Sequence, residues 1–143
     1  GIVYNASNDE TRDLVKRYVK FLRDYKIKTL AIGCFEEKEL PLDVNPSLEF
    51  DFITKKDLNL QLEPTGVVAN NFTEEEFDIL IDTSTEDNLT VQYLVLRSRA
   101  SFKVGAQQLC YSSLFDLTIV LKPNEGPRQL MKNIDRYLHV IKN

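Results

Sequence analysis

The residues that decide the fold lie between Phe77 and Gly105. This stretch opens with FDILIDTS at positions 77–84 and closes with ASFKVG at positions 100–105. The apolar run of residues 79–81, bounded by acids, is typical of a strand that is buried on both faces. Residues 89–96 show helical spacing of apolar side chains, and the closing segment contains a second short apolar strand. A strand, a crossover helix and a strand in this order predict a parallel sheet.

On both sides of this unit, short apolar or alternating segments predict the other strands. In chain order, the six predicted strands cover residues 2–4, 29–32, 50–52, 79–81, 102–104 and 117–121. Three main helices are predicted: one from a Ser7/Glu10 capping box to about Tyr25, the crossover helix, and one from Pro127. We therefore predict a single α/β domain over residues 1–143, with a three-layer, Rossmann-like open sheet. Its strands are expected to be mostly parallel, in the order 3-2-1-4-5-6.

The same periodicity assigns side chains to the core. Ile79, Ile81, Phe102 and Ile119 are expected to be almost fully buried in neighbouring strands. The predicted buried faces of the first and last helices contain Leu14, Val15, Tyr18, Val19, Leu22 and Tyr25, and Leu130, Met131, Ile134, Tyr137, Leu138 and Ile141. Residues 55–71 are predicted as a long connection without periodicity, followed by a short helix at 72–76.

The composition limits the classes of function. The chain has 143 residues, 43% of them hydrophobic, and 18 basic against 22 acidic residues give a net charge of −4. This balance argues against a general nucleic-acid-binding protein, and no apolar stretch approaches the ~20 residues that a membrane-spanning helix needs. Cys34 and Cys110 lack the spacing of a zinc site, so we expect reduced thiols and a cytoplasmic location. Because the chain starts at Gly1 without a methionine, we expect further residues upstream.

The motifs of the chain resemble those of a bacterial family of uncharacterised cytoplasmic proteins. Its members carry F-D-I-L-I-[ND]-[LT]-S, a helix, and then S-[KR]-A-x-F-[KR]-[VI]-G, which match residues 77–84 and 98–105. Three further segments of the family have counterparts in this chain. They are the KKDLN segment at 55–59, the [FY]-D-L-x-I strand at 115–119 and the Tyr-Leu-x-x-Ile end at 137–141. The resemblance covers most of the chain and implies membership of a family without a known activity.

Residues 77–105 also resemble part of the N-terminal domain of heptosyltransferase-type glycosyltransferases. In that family a Y-D-L-V-I-D-L strand is followed by a helix and a basic R-I-G segment. The second domain, which binds the sugar nucleotide in those enzymes, has no counterpart in these 143 residues. The resemblance therefore implies a Rossmann-like fold and does not imply transferase activity.

The first and fourth strands should end side by side, where open α/β sheets bind their ligands. The polar residues that follow these strands form the candidate ligand crevice: Asn5, Ser7, Asn8, Asp82, Thr83 and Ser84. The turn after the first strand lacks glycine, and Asp9 and Glu10 occupy the next helix start, so we predict no nucleotide or other cofactor. Asp82 either caps a turn or the crossover helix, or binds Mg²⁺ with Asp9 and Asp87, and capping is the favoured interpretation.

The remaining polar residues form no recognisable catalytic or metal site. His139 has no nucleophile at a supporting spacing and is interpreted as solvated, and both cysteines are interpreted as small apolar side chains. Five basic residues could gather into a patch, although solvated charge is the favoured interpretation; they are Lys55, Lys56, Arg97, Arg99 and Lys103.

Two hypotheses for the function follow. The first is a non-enzymatic, cytoplasmic Rossmann-like module that acts through a protein partner. The second is a small-molecule-binding or degenerate glycosyltransferase-like domain, which a deep pocket containing Asn5, Asp82 and Ser84 would favour. The sixth strand, residues 117–121, is an apolar sheet edge. Either the last helix and upstream residues cover this edge, or a second copy binds in a homodimer through this edge or the helix beside it, which we favour.

Overall fold

One parallel sheet forms the centre of the domain. The structure, a computed structural model, describes the backbone of residues 1–142 and the side chains of residues 1–139. The strands are β1 Ile2–Asn5, β2 Ala31–Cys34, β3 Phe50–Ile53, β4 Leu80–Asp82, β5 Lys103–Ala106 and β6 Leu117–Ile119. They lie in the order β3-β2-β1-β4-β5-β6, and each neighbouring pair is parallel. The predicted strand order is confirmed.

Helices cover both faces of this sheet. They are α1 Asp9–Asp24, α2 Val67–Glu74, α3 Leu89–Arg97 and α4 Pro127–Lys142. On one face α1 contacts α4, and on the other face α2 contacts α3. The domain is therefore a three-layer, Rossmann-like α/β sandwich, as predicted. None of the described helices has the length and apolar content that crossing a bilayer requires.

The start of α1 differs from the predicted capping box. Asn8 is the N-cap, and its side-chain oxygen accepts a hydrogen bond from the Thr11 nitrogen at 3.1 Å. The Ser7 hydroxyl instead accepts from the Glu36 nitrogen and donates to the Glu37 carboxylate, both at 2.9 Å. Ser7 therefore ties the turn after β1 to the segment that follows β2, and Asn8 satisfies the helix terminus.

Helix α2, which is additional to the three main predicted helices, lies largely in the segment predicted as a connection. The short helix predicted at 72–76 in fact starts five residues earlier, at Val67, and ends at Glu74. Only Ala69 and Phe72 of α2 are buried, whereas Val67 and Val68 are exposed. Because the apolar residues at the start of α2 face solvent, this segment shows no amphipathic periodicity in the sequence.

The buried positions of the central strands are partly those predicted. Ile81 and Ile119 are buried, but Ile79 and Phe102 are only half-buried, so their predicted full burial is wrong. The reason is that β4 and β5 each begin one residue after these two side chains. Ile79 and Phe102 therefore lie at the border of the sheet, where the strands begin.

The last helix covers part of the sheet beside β6. In α4, Leu130, Met131 and Ile134 are buried as predicted, whereas Tyr137 is exposed and that prediction is wrong. The predicted burial of Ile141 falls outside the described side chains. Contacts of α4 with β5 and β6 agree with the explanation that this helix covers the final strand. Pairing of β6 with a second copy stays a prediction.

Gly105 has a packing role that its place in the motif at 98–105 did not reveal. It lies in β5, and the aromatic ring of Phe115 rests directly against it. A β-carbon at position 105 would lie 2.5 Å from Cε2 and 2.7 Å from Cε1 of Phe115. A residue without a side chain is therefore required for this ring to reach the sheet.

Candidate functional site

The predicted crevice lies at the carboxyl edge, defined here as the border of the sheet where the strands end. β1 ends at Asn5 and β4 ends at Asp82, and Val3 is the register partner of Asp82. The chain then enters α1 on one face and α3 on the other, so the strand order reverses between these two strands. The carboxyl edge at β1 and β4 is therefore a topological switch point.

Asp82 is fully buried at this switch point. Its Oδ1 accepts a hydrogen bond from the Ser84 nitrogen at 2.9 Å, and its Oδ2 accepts one from the Tyr111 hydroxyl at 2.7 Å. Asp82 thus caps the turn after β4, which is the favoured interpretation of this residue. Tyr111, in the connection between β5 and β6, was not predicted as part of the site. It is 29 residues away in the sequence, and no local pattern links the two positions.

Burial controls the electrostatics of this pair. Desolvation raises the pKa of the Asp82 carboxyl from its ordinary 3.8 to about 6, and hydrogen bonds from Tyr111 and from the Ser84 nitrogen oppose this change. Burial, followed by the nearby Asp82 charge, raises the pKa of the Tyr111 phenol. Among residues 1–139, no basic side chain forms an ion pair with Asp82. The carboxylate is therefore held by hydrogen bonds alone.

Two hydroxyl groups beside Asp82 lack a hydrogen bond of good geometry. Thr83 Oγ1 and Ser84 Oγ are both buried, and the Ser84 hydroxyl lies close enough to Asp82 and Tyr111 to lower the pKa of each. A buried hydroxyl without a partner costs about 1–3 kcal/mol. These two atoms are suited to a bound water or to a polar atom of a small ligand.

The β1 side of the crevice is closed by local contacts. The Asn5 side chain accepts a hydrogen bond from the Ser7 nitrogen at 3.0 Å, while Asn8 caps α1. Arg12 donates to the Ala6 carbonyl, and its guanidinium lies 5.4 Å from the centroid of the Phe35 ring. The polar groups of this turn are therefore already paired within the domain.

The acids considered for Mg²⁺ each have a separate partner. Asp9 forms an ion pair with Arg12, whereas Asp87 accepts a hydrogen bond from the Cys110 nitrogen at 2.8 Å. Within the part of the chain that the structure describes, no group of three His, Cys, Asp or Glu side chains is arranged to hold a metal ion. The structure therefore does not bring Asp82, Asp9 and Asp87 together.

The two cysteines differ in their surroundings. Cys34 is a buried free thiol whose pKa is raised by burial and by the Asp82 charge. Cys110 is an exposed free thiol. A thiolate is disfavoured at position 34, so the structure agrees with the interpretation of Cys34 as a small apolar side chain.

The basic residues considered as a patch also have individual contacts. Lys56 pairs with Glu39, and Arg99 lies 3.4 Å from the Glu76 carboxylate. Lys103 Nζ donates to the Val95 carbonyl at 2.7 Å, and the Arg97 guanidinium lies 5.5 Å from the Tyr93 ring centroid. These contacts distribute the charges rather than gathering them into one phosphate-binding surface.

A large cavity opens at the amino edge, the border of the sheet where the strands begin. Its volume is about 750 Å³, and we call it the amino-edge groove. The apolar residues that line it are Ile2, Tyr18, Phe21, Leu22, Tyr25, Ile27, Leu30, Leu48, Phe77, Ile79, Ile81 and Leu138. It therefore lies at the opposite end of the strands from the predicted crevice.

The aromatic side chains of α1 belong to this groove. The Tyr18 and Phe21 ring centroids are 6.1 Å apart, and those of Phe21 and Tyr25 are 4.8 Å apart. Tyr25 is 62% exposed, so its predicted place on the buried face of the helix is wrong. The helical spacing is as predicted, but the last turn of α1 lines the groove instead of packing into the core.

His139 also lines the groove, and it is exposed as predicted. Its Nδ1 lies 2.9 Å from the Asp135 carbonyl and 3.7 Å from the Asp135 carboxylate. The Tyr18 hydroxyl donates to the same carboxylate at 3.1 Å, which joins α1 to α4 across the groove floor. Burial, followed by the Asp135 charge, raises the pKa of the Tyr18 phenol. These groups form a polar contact within an apolar surface.

Comparison with known proteins gives a family without a function. Neither the curated proteins nor the solved structures contain a match to this chain. A family model described as a family of unknown function, DUF6913, matches residues 1–141. This agrees with the predicted membership of an uncharacterised family. Because the match covers almost the whole sequence, the chain belongs to the DUF6913 family of unknown function.

Proposed function

We propose that this domain is a non-enzymatic module that acts through a protein partner, and that the partner binds in the amino-edge groove. The observation that carries this proposal is the size and apolar character of the groove, about 750 Å³ with exposed aromatic side chains on its wall. Apolar patches of this kind mark interaction sites on otherwise polar surfaces. Tyrosine and phenylalanine are also enriched at protein interfaces.

The chemistry of the groove favours binding over catalysis. Two of its titratable side chains interact with neighbouring residues: the Tyr18 hydroxyl donates a hydrogen bond to Asp135, and Glu76 forms an ion pair with Arg99. No serine or cysteine is among the described residues that line it. Thr29 also lines the groove, but its hydroxyl donates to the Ile27 carbonyl at 3.4 Å. The described lining therefore contains no serine, cysteine or threonine hydroxyl or thiol that is hydrogen-bonded to a base.

The state of the carboxyl edge supports the same conclusion. Asp82, Thr83 and Ser84 are buried, and Tyr111 closes over the carboxylate. The Asn5 side chain is occupied by the turn that follows β1. Polar side chains that are buried or occupied by neighbours at this edge are the expected feature of a module that works through a partner elsewhere on its surface.

A photo-crosslinking experiment tests the proposal. A benzoylphenylalanine side chain replaces Tyr25 in the groove, and the matched control carries it at Tyr137, which is exposed but does not line the groove. We expect irradiation in cells to join the Tyr25 variant to one polypeptide that then binds the purified domain in solution. No adduct at Tyr25, or the same adducts from both positions, would refute docking in the groove.

A second candidate function is that of a small-molecule-binding or degenerate glycosyltransferase-like domain that uses the carboxyl edge. The observation that favours it is the pair of buried hydroxyls that lack a hydrogen bond of good geometry, Thr83 Oγ1 and Ser84 Oγ. A polar ligand atom that reached either hydroxyl would supply a hydrogen bond that the described protein groups do not make. A thermal-shift screen tests this function, because a ligand that binds only the folded chain raises Tm. A hit whose shift is unaffected by Ser84→Ala would place the ligand elsewhere.

We further propose that the domain works in the cytoplasm of a bacterium. Support comes from the two free thiols, Cys34 and Cys110, which are typical of reducing compartments. Localising the tagged protein in cells by fractionation tests this proposal. Recovery in an oxidising compartment would contradict it.

A further inference from the structure

The architecture places the negative end of helix α1 beside the amino-edge groove. In a parallel α/β sandwich the helices run antiparallel to the strands, so their C-termini lie where the strands begin. Phe21 and Tyr25 from the end of α1, and Leu138 and His139 from the last turns of α4, line the groove. Each helix C-terminus carries roughly half a negative charge. The groove therefore lies in a region that favours cations.

Acidic side chains add to this potential. Glu75, Glu76 and Asp78, between α2 and β4, line the groove, and Lys28 is the lysine among its described lining residues. Glu76 is partly neutralised by Arg99 at 3.4 Å. Among the described side chains, no lysine, arginine or histidine forms an ion pair with Glu75 or Asp78. Two exposed carboxylates thus remain available beside an apolar surface.

We propose that the amino-edge groove binds a basic amphipathic helix of the protein partner. Its apolar side chains contact the aromatic wall formed by Tyr18, Phe21 and Tyr25, and its lysine or arginine side chains face Glu75 and Asp78. This is the recognition mode in which a helix lies in a groove with anchors at i, i+3, i+4 and i+7. The inference rests on the proposed function and adds the chemistry of the partner.

The positions of the groove residues favour a helix over the other occupants. A peptide that extends a sheet must pair with β3 or β6, the outer strands, and the groove lies instead across the starts of the central strands. An anionic lipid surface is disfavoured because Glu75 and Asp78 would repel it. Charge complementarity with the carboxylates selects a cationic partner.

Synthetic peptides test the inference with the 143-residue chain. The probe is a fluorescein-labelled helix of about 14 leucine and lysine residues, with leucine at helical spacing. One comparison peptide carries glutamate in place of lysine. A second keeps the basic composition but contains a central proline, which breaks the helix. Fluorescence anisotropy gives the Kd of each, and we expect only the basic helical peptide to bind tightly.

Paired variants locate the binding site. The double variant Glu75→Lys/Asp78→Lys should weaken binding of the basic helix at least about tenfold, because it replaces two attractions with repulsions. The control Asp43→Lys/Glu86→Lys makes the same change in net charge at exposed positions outside the groove. It should change Kd by less than about twofold at physiological salt. Tyr25→Ser should also weaken binding, whereas Tyr137→Ser should not.

The outcomes separate this inference from the proposed function. Equal losses in the two charge variants, or no loss in Tyr25→Ser, would overturn the inference because the peptide then binds outside the groove. The inference would also be overturned if the acidic or the proline-containing peptide bound tightly and Tyr25→Ser weakened that binding. Docking of a partner in the groove would still be supported by that result. The proposed function itself fails only in the crosslinking experiment at Tyr25. Circular dichroism of each variant confirms that the fold is retained.

Discussion

Removing the Tyr111 hydroxyl tests the buried carboxylate at the switch point. Tyr111→Phe deletes the donor that lies 2.7 Å from Asp82 Oδ2 and keeps the ring that packs against Phe115. Asp82 is fully buried, so water does not replace the lost hydrogen bond. A hydrogen bond to a charged group contributes about 1.5–3 kcal/mol, and a neutral one about 0.5–1.5 kcal/mol. The loss of stability should therefore depend on the protonation of Asp82.

The sign of the pH dependence follows from the raised pKa of Asp82. The unfolded carboxyl titrates near 3.8 and the folded one near 6, so the folded state binds the proton more tightly. Stability from this group is complete below the unfolded pKa and is lost as pH rises through the folded pKa. At about 1.36 kcal/mol per pKa unit, ionising Asp82 costs the fold about 3 kcal/mol above pH 6. Asp82→Asn removes this cost.

Urea unfolding followed by circular dichroism measures these effects. At about pH 8, where Asp82 is ionised, Tyr111→Phe should lower the free energy of unfolding by about 1.5–3 kcal/mol. At about pH 4.5 the loss should fall to roughly 1 kcal/mol, because the carboxyl is protonated. Asp82→Asn should gain stability relative to wild type as pH rises between these values. The exposed residue change Tyr137→Phe serves as the control and should have little effect at either pH.

Two results would refute this reasoning. Equal losses for Tyr111→Phe at both pH values would mean that the hydroxyl does not act on an ionised carboxylate. A constant difference between Asp82→Asn and wild type across the pH range would mean that Asp82 does not titrate differently in the folded chain. An unchanged m-value is required in each case, so that the comparison concerns stability alone.

Three further predictions concern the sheet. Ile81→Ala should cost about 2–5 kcal/mol of unfolding free energy by leaving a cavity between strand and helices, and an unchanged urea midpoint would show that β4 is not central. Gly105→Ala should lower Tm because its β-carbon would lie 2.5 Å from a Phe115 ring carbon; the double variant with Phe115→Leu should recover part of the loss, and no recovery would contradict the packing argument. If β6 pairs with a second copy, light scattering should give the mass of two chains at high concentration. Val120→Lys, at an exposed position next to β6, should reduce that mass. A mass of one chain would mean that α4, which contacts β6, covers this strand within the same chain.

The order of the strands could be predicted because it depends on local patterns. Short apolar runs separated by helical segments require parallel pairing, and chain connectivity then leaves few arrangements. The FDILIDTS segment at 77–84 identified the central strand and placed Asp82 at its end. The start of α2 was not predicted, because the apolar residues Val67 and Val68 are exposed and the segment has no amphipathic pattern. Predictions of helices from sequence depend on that pattern.

Contacts between residues that are distant in the sequence depend on the tertiary structure. The partner of Asp82 is 29 residues away, and sequence spacing carries no information about a contact over that distance. Helical periodicity placed Tyr18 and Tyr25 on one face of α1, but burial also depends on what covers each turn. The last turn of α1 meets the amino-edge groove, so Tyr25 faces an open cavity instead of the core. The local pattern determines which face of a helix is apolar, and the packing of distant segments determines whether that face is covered.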